Sequence, residues 1–565
     1  MKITKQHIST WLQNNRWAFT VGLIVLCLSY LILESVYILH LPLIVDEYGG
    51  FAQVEKLRSE LPYRDHRPYK TVLGYYVQLL PTLFVQPMWS KLLSIKFFTA
   101  GLVSLLFLVT GQLLRKIYSS GALLLAMALL FSMSTFLERS AELRVDMLTS
   151  LCGLLSLVFL LRGQSQWSGL LAGLSFLVSQ KGVYFIFAGG LALSSLVLLS
   201  HPRRNALKQL LGYALLLCGT IATYFLFWTI VASFDAVTNT VFGSGVKKIA
   251  TQVLYNLDDL RMYWFQSLLR NPLFYLLALF SLGHLFWERN NESHVHKNLK
   301  LVIYGSTMLA FCLWHRQPWP YFIVILLPTF FVLIVDLFDA EIKRAKHTSY
   351  LGLAILLCFG IIFPLQRSKA VLAQDSGYQK QNIELATAIL RPEDSYMALA
   401  PLFPHHQHRP RSLRWMDYPR SVQTANLPPE EKKELVRELK NDPPKLLVQN
   451  YRFRGLPPGI RRYVQKHYVH LHASVFVFQL SIPKQTSNFE LPFDGRYTIL
   501  GSPGAIELDG KVQHGKSTLF LKKGVHSLTP LKRSIHLRFT PQGIDPLINP
   551  RYKDNIEFFP DLYRY

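Results

Sequence analysis

Apolar runs long enough to cross a bilayer, each needing roughly 20 residues, recur through the first two-thirds of the chain and stop near Pro364. Their spacing predicts about eleven membrane helices, at 17–40, 93–114, 119–137, 147–161, 166–180, 183–200, 209–232, 272–288, 300–314, 321–338 and 348–365. The shorter ones are short for isolated spans but suffice inside a bundle or beside a water-filled cavity. Beyond residue 366 the pattern changes. A helical stretch at Pro429–Lys440, with acids in its first turn, joins apolar strand-like runs at Lys445–Gln449 and Ser474–Phe478, predicting an α/β domain over 367–482. Alternating positions at Tyr497–Leu500, Ala505–Leu508 and Ser517–Leu521, separated by Gly-containing turns, predict a β-sandwich in a β-rich domain and tail, 483–565. The expected fold is thus a polytopic α-helical membrane domain, 1–366, followed by a soluble α/β plus β-sandwich region.

Charge then orients these elements. With the N-terminus inside, the predicted cytoplasmic loops carry Arg115-Lys116, Arg162, His201–Lys208, Glu288–Lys300 and Glu341–His347, as expected of loops that resist translocation. The first apolar run follows basic residues and has no clear small-residue cleavage site, so it reads as a retained signal anchor. An odd helix count places 41–92, 233–271 and everything after 366 on the non-cytoplasmic side. From residue 367 onward 30 Lys and Arg face 18 Asp and Glu, about half of the whole chain's net +25. This charge is the kind that meets lipid phosphates or an anionic glycan rather than nucleic acid. All five cysteines lie in apolar segments and none follows residue 366, so no disulfide scaffold supports the soluble region. A bacterial inner membrane, with the soluble region in the periplasm or outside the cell, is the expected location.

Candidate chemistry gathers at the predicted outer surface. Leu43-Ile-Val-Asp46-Glu47-Tyr48 puts two acids where the chain leaves the first span, and Glu138-Arg-Ser-Ala-Glu-Leu-Arg144-Val-Asp146 repeats the pattern before another apolar run. Ionisable residues at the edge of an apolar layer are rare and often functional. Between the two clusters lies a basic loop with Arg64, Arg67 and Lys70. No metal-ligand spacing stands out: Pro404-His-His-Gln-His408 lacks a suitably placed cysteine or acid.

The order of these features resembles the GT-C superfamily of polyprenyl-phosphate-dependent glycosyltransferases, in particular the branch of protein O-mannosyltransferases and the lipid A aminoarabinose transferase. Asp46-Glu47 matches their acidic pair after the first helix, and Leu61–Lys70 followed by Leu73-Gly-Tyr-Tyr76 resembles their amphipathic outer loop. Arg144-Val-Asp146 resembles their second acidic motif, Gly169–Gly182 their helix ending in Lys-Gly, and His315–Tyr321 with Leu327-Pro328 their late loop and Tyr- and Pro-bearing helix. The sequence departs from the aminoarabinose enzymes in Tyr48-Gly-Gly after the acidic pair and in lacking their Lys-Pro-Pro.

The resemblance implies transfer of a monosaccharide from a polyprenyl-phosphate donor to an acceptor hydroxyl on a glycolipid, glycan or protein, with inversion and without a metal or other cofactor. It implies Asp46 as the base, with Glu47 and Asp146 as further catalytic acids. Lys70, Arg64, Arg67, Lys181, Arg316 and Tyr321 would meet the donor phosphate, with Arg144 and Tyr48 supporting them. Arginine grips phosphate oxygens in a fork and lysine acts as a point charge. A transporter or flippase for a lipid-linked or anionic substrate is the alternative. It would place ionisable residues along a transbilayer path, often with repeat symmetry, and no such repeat is present in the sequence.

Overall fold

The computed structural model describes residues 16–68, 70–199, 203–243, 257–287, 295–315, 320–344, 366, 368–410, 428–501, 504–529, 533–545 and 550–559. They divide into two compact units, one drawn from Met1–His40 and Gln53–Gln374, the other from Leu41–Ala52 and Asp375–Tyr565.

The first unit is helical. In chain order come α1 (Arg16–His40), α2 (Val45–Lys56, which begins in the other unit), α3 (Leu73–Leu79), α4 (Met88–Leu114), α5 (Ser120–Ser132), α6 (Ser134–Arg139), α7 (Asp146–Leu161) and α8 (Ser165–Val178). They are followed by α9 (Val183–Leu199), α10 (Arg203–Val231), α11 (Phe234–Thr238), α12 (Leu257–Arg270), α13 (Pro272–Trp287), α14 (Val295–Trp314), α15 (Pro320–Ile323) and α16 (Leu327–Arg344). Among the described residues four helical stretches are long and apolar enough to cross a membrane: Arg16–His40, Met88–Leu114, Gln180–Leu199 and Arg203–Val231. A fifth candidate is bent by 98° between Met262–Arg270 and Pro272–Trp287, a broken span or re-entrant loop. Proline at the start of α13 suits this break, because a first-turn residue has no intrahelical acceptor for its N–H. Asn271 fills the corner: its side chain accepts from Ser134 N at 3.0 Å and donates to Thr135 Oγ1 at 2.9 Å. The predicted span 119–137 is likewise two helices, α5 and α6, broken at Met133. The predicted span 348–365 lies outside the described residues.

Helices α7, α8, α9 and α10 pack in succession, α1 lies on α4, and α16 lies on α5 and α13. Lipid gives no hydrophobic drive for helices to associate, so close packing and polar pins do that work. A Cβ at Gly169 of α8 would stand 2.1 Å from the Tyr213 carbonyl oxygen of α10, so these backbones meet only because the residue is glycine. Polar pins include Ser119 N to Asp339 Oδ1 at 2.8 Å and Lys300 Nζ to Leu160 O at 3.0 Å.

The second unit holds α17 (Gly377–Ile389), α18 (Pro429–Asn441), α19 (Pro458–His467) and an eight-stranded sheet. Its strands are β1 (Ser395–Met397), β2 (Gln407–His408), β3 (Leu446–Val448), β4 (Tyr468–His472), β5 (Val475–Ile482), β7 (Gly495–Leu500), β10 (Thr518–Leu521) and β12 (Ile535–Phe539). The order is β10-β7-β12-β5-β3-β1-β2, with β4 also on β5; β1 is parallel to β2 and β3, and the other pairs are antiparallel. Two ribbons stand apart, β6 (Asn488–Leu491) with β11 (Gly524–Ser527) and β8 (Ala505–Leu508) with β9 (Lys511–His514). The eight-residue β5 explains why this part differs from a separate sandwich. Its first half pairs with β3 and its second half with β12, so strands from both predicted soluble domains share one sheet.

Candidate active site

Helix α7 starts at Asp146, whose carboxylate sits in the first turn, where the helix presents unsatisfied N–H groups. Arg144 Nε lies 2.9 Å from Asp146 Oδ2 and Lys181 Nζ 2.9 Å from Asp146 Oδ1, while the Lys70 ammonium is near enough for its charge to act on the same carboxylate. One acid thus faces three cations. The acid side chain is 3% exposed, against 11% for Arg144 and 19% for Lys181, so the accessible part of the cluster is positive. The other acids of this stretch are matched: Glu142 pairs with Arg139, and Glu138 with Arg270 at 3.4 Å.

The local backbone explains the convergence. After α8 ends at Val178, the single turn Gln180–Gly182 carries Lys181. A Cβ at Gly182 would lie 2.3 Å from Phe176 N, so glycine lets this turn close on α8. Gln180 Nε2 donates to Val241 O at 3.2 Å. The chain after Lys70 is fastened by Thr71 Oγ1 to Phe176 O at 3.2 Å and by Val72 N to Tyr224 OH at 3.1 Å. Opposite, Lys181 Nζ stands 5.6 Å from the centroid of the Phe322 ring, on which His315 stacks at 3.9 Å. His315 Nδ1 and Tyr184 OH share a hydrogen bond of 2.8 Å. Burial, reinforced by the Lys181 ammonium, pushes the His315 pKa down to about 3, so the imidazole is neutral at physiological pH.

In the second unit, α2 opens with the acidic pair. Glu47 Oε2 accepts from Ile44 N at 2.9 Å, the reach-back of a capping box, and the side chain is buried. This gives Glu47 a structural role that spacing alone did not show. Asp46 is half-buried, and Tyr48 is fully buried. The domain 1–366 expected from the sequence includes the pair, whereas its segment packs with residues from Asp375 onward.

Of the sequence-predicted residues, the first unit therefore gathers Asp146, Arg144, Lys181 and Lys70. Arg64 is turned to other work: its guanidinium binds Asp65 at 2.9 Å on the surface and holds that carboxyl down to about 2. Arg67 donates to Asn239 O at 2.8 Å. Arg316 and the Tyr321 side chain lie outside the described residues. Sequence reasoning missed Tyr184, His315 and Phe322. Tyr184 stands one helical turn after Lys181, a spacing that puts both on one side; for His315 the neighbouring Arg316 was the more conspicuous phosphate ligand.

Neither a family model nor a curated protein sequence matches the chain. Solved structures do match. ArnT from Cupriavidus metallidurans bound to undecaprenyl phosphate aligns with a TM-score of 0.57 at 11% identity, covering 95% of this chain and 100% of that one. The chain has the fold of this ArnT. The apo state of the same ArnT gives a TM-score of 0.54 at 12% identity over 94% of this chain and 99% of that one. The apo oligosaccharyltransferase of Archaeoglobus fulgidus gives 0.51 at 12% identity over 90% and 76%. The chain thus shares with them a fold that runs through nearly its whole length.

Proposed function

We propose that the protein is a glycosyltransferase that moves a monosaccharide from a polyprenyl-phosphate donor to an acceptor hydroxyl at the outer face of a bacterial inner membrane. The observation that carries this reading is the cluster of Arg144, Lys181 and Lys70 around Asp146. A monophosphate leaving group needs positive charge where its own negative charge develops, and this cluster brings three cationic side chains together. In a unit of apolar helices it meets the requirements of a lipid-borne phosphate, and one GT-C structure of like fold was solved with undecaprenyl phosphate.

Asp46 is the proposed base. It takes the acceptor's hydroxyl proton as the acceptor oxygen bonds to the anomeric carbon from the face opposite the phosphate. The bond from that carbon to the phosphate oxygen breaks with its electron pair leaving on the phosphate, so the configuration inverts. Lys181, Lys70 and Arg144 take up the growing charge. Asp146 holds Arg144 and Lys181 apart and oriented, which makes it a positioning acid. No metal or organic cofactor takes part in this scheme. The acceptor is an envelope glycolipid, glycan or exported protein.

The test is mass spectrometry of envelope glycolipids and glycoproteins from cells with the gene, without it, and with Asp46→Asn in its place. The expected result is a hexose or pentose increment that vanishes without the gene and is restored by the wild-type chain but not by the variant. An unchanged profile on deletion would overturn the reading as a whole. Restoration by Asp46→Asn would overturn the base alone.

A further inference from the structure

From Leu41 to Ala52 every residue is buried except Asp46. The backbone of this segment is gripped by a side chain. The fully buried Gln379 of α17 accepts from Leu43 N at 2.7 Å and donates to Leu43 O at 2.9 Å, as a neighbouring strand would. Its remaining amide hydrogen goes to Phe558 O at 2.8 Å. Tyr378 OH donates to that same carbonyl at 3.1 Å, and Phe558 N donates to Gln449 O at 2.9 Å. Two residues beyond Asp46, the Tyr48 ring packs 5.4 Å and 5.5 Å from the rings of Phe558 and Phe559. Upstream, the tail is stitched to the turn before β5, by Ala473 N to Tyr552 O at 3.0 Å and Ile556 N to Ala473 O at 3.2 Å.

An apolar contact alone would let the acid-bearing segment slide along its groove. A buried carboxamide with both hydrogens and its oxygen committed does not, since any shift leaves polar atoms unpaired where water cannot replace the bonds. Leu43, held at both backbone groups, is three residues before Asp46. We propose that Gln379 and the tail Tyr552–Phe559 form a clamp that positions Asp46, making Gln379, Tyr48 and Phe558 positioning residues for the transfer. This rests on the reading of Asp46 as the base. Its further content is that residues more than three hundred positions away in sequence fix where that base stands.

The experiment uses the full-length protein in lipid nanodiscs with three readouts. The first is amide hydrogen exchange of the peptide spanning 41–52 in Gln379→Ala, Phe558→Ala, Tyr48→Ala and Tyr48→Phe, with the β5 peptide as the folding control. The second is binding of undecaprenyl phosphate. The third is the sugar increment on envelope products in cells carrying each variant. The three alanine variants are expected to raise exchange of 41–52 by about tenfold or more, with β5 protection kept. They should also lower product formation by about ten- to a hundredfold, as expected of a misplaced catalytic group, with undecaprenyl phosphate affinity kept. Tyr48→Phe, which keeps the ring, should behave as wild type in all three.

Unchanged exchange of 41–52 in Gln379→Ala and Phe558→Ala overturns the clamp whatever the enzyme does. Raised exchange with undiminished product overturns the positioning role. Loss of β5 protection together with product in every alanine variant, with Tyr48→Phe equally damaged, also overturns it, because the effect is then one of folding. Full product from Asp46→Asn sinks the base reading instead, and the exchange result separates that failure from failure of the clamp.

Discussion

A buried carboxylate with cations on both of its oxygens is costly to disturb from either side. Asp146→Asn leaves Arg144 and Lys181 near each other without their shared counter-charge, and breaking a buried pair in this way costs about 3–5 kcal/mol. The expected result is a clear drop in the melting temperature of the purified protein. Lys181→Gln is expected to differ, because it removes a cation and leaves Asp146 paired with Arg144. Hydrogen bonds to charged groups are worth about 1.5–3 kcal/mol, so undecaprenyl phosphate affinity should fall by about ten- to a hundredfold, measured by native mass spectrometry. Arg64→Gln supplies the contrast: that guanidinium is engaged with Asp65 at the surface, and surface pairs contribute little, so affinity should stay within about twofold. Equal losses in the two variants would remove Lys181 from the phosphate site. The sequence made both residues look alike, as basic positions near an outer loop. What separates them is the Gly182 turn that carries Lys181 back to Asp146, a tertiary contact with no local signature.

Among the elements, local pattern was the better guide where strands and helices are regular. Ala505–Leu508 was legible from alternation alone and appears with those bounds as β8, and the Pro429 helix runs one residue past its expected end. The fusion of strands into one sheet was not legible, because β5 gives no sign in its own sequence of having different partners along its two halves. Gly169 shows the same limit within a helix. Its place in a glycine-containing apolar run was visible, but contact with the Tyr213 carbonyl was not, and overpacking there by Gly169→Val should cost about 1–3 kcal/mol or more. The ribbons carry a pH-sensitive pair. His526 Nδ1 and Asp509 Oδ2 are 2.7 Å apart. Burial alone would lower the His526 pKa, but its hydrogen bonds to Asp509 and Lys522 O prevail and raise it. For Asp509, burial acts upward while the bonds from His526 and Ser527 N bring the pKa down. A raised histidine pKa stabilises the fold below the unfolded value of about 6.5 and ceases to do so as pH climbs through the folded one; a lowered carboxyl pKa stabilises above about 3.9 and is lost as pH falls through the folded one. Protection of β11 against amide exchange should therefore be greatest between about pH 4 and 6.5, and His526→Gln should flatten that maximum.

On the scale of the whole molecule, the two compact units do not divide at a single point of the chain, and the interleaved segment bears on function. Leu41–Ala52 reads as the start of the first outer loop within the domain 1–366, yet it packs with residues from Asp375 onward. Its burial is supplied by Gln379 and Phe558, whose distance in sequence hides the partnership. Sidedness is then the largest remaining consequence of the charge pattern. Basic residues stand at Arg115-Lys116 after α4, at Arg162 after α7 and at Lys343-Arg344 in the last turn of α16, and short basic segments of this kind resist translocation. The second unit is more basic still, but long domains cross regardless of charge, so its positive balance does not argue against export. Single cysteines placed at the exposed Lys511, in β9, and at the exposed Lys116 test this directly. In intact spheroplasts a membrane-impermeant maleimide should label Lys511→Cys, and should reach Lys116→Cys only after the membrane is opened. The natural cysteines sit in apolar segments and set the background. The reverse pattern would place the Asp46 segment, which belongs to the second unit, on the cytoplasmic side. A base held there would meet soluble nucleotide-sugar pools rather than exported acceptors, and transfer at the outer face would be untenable.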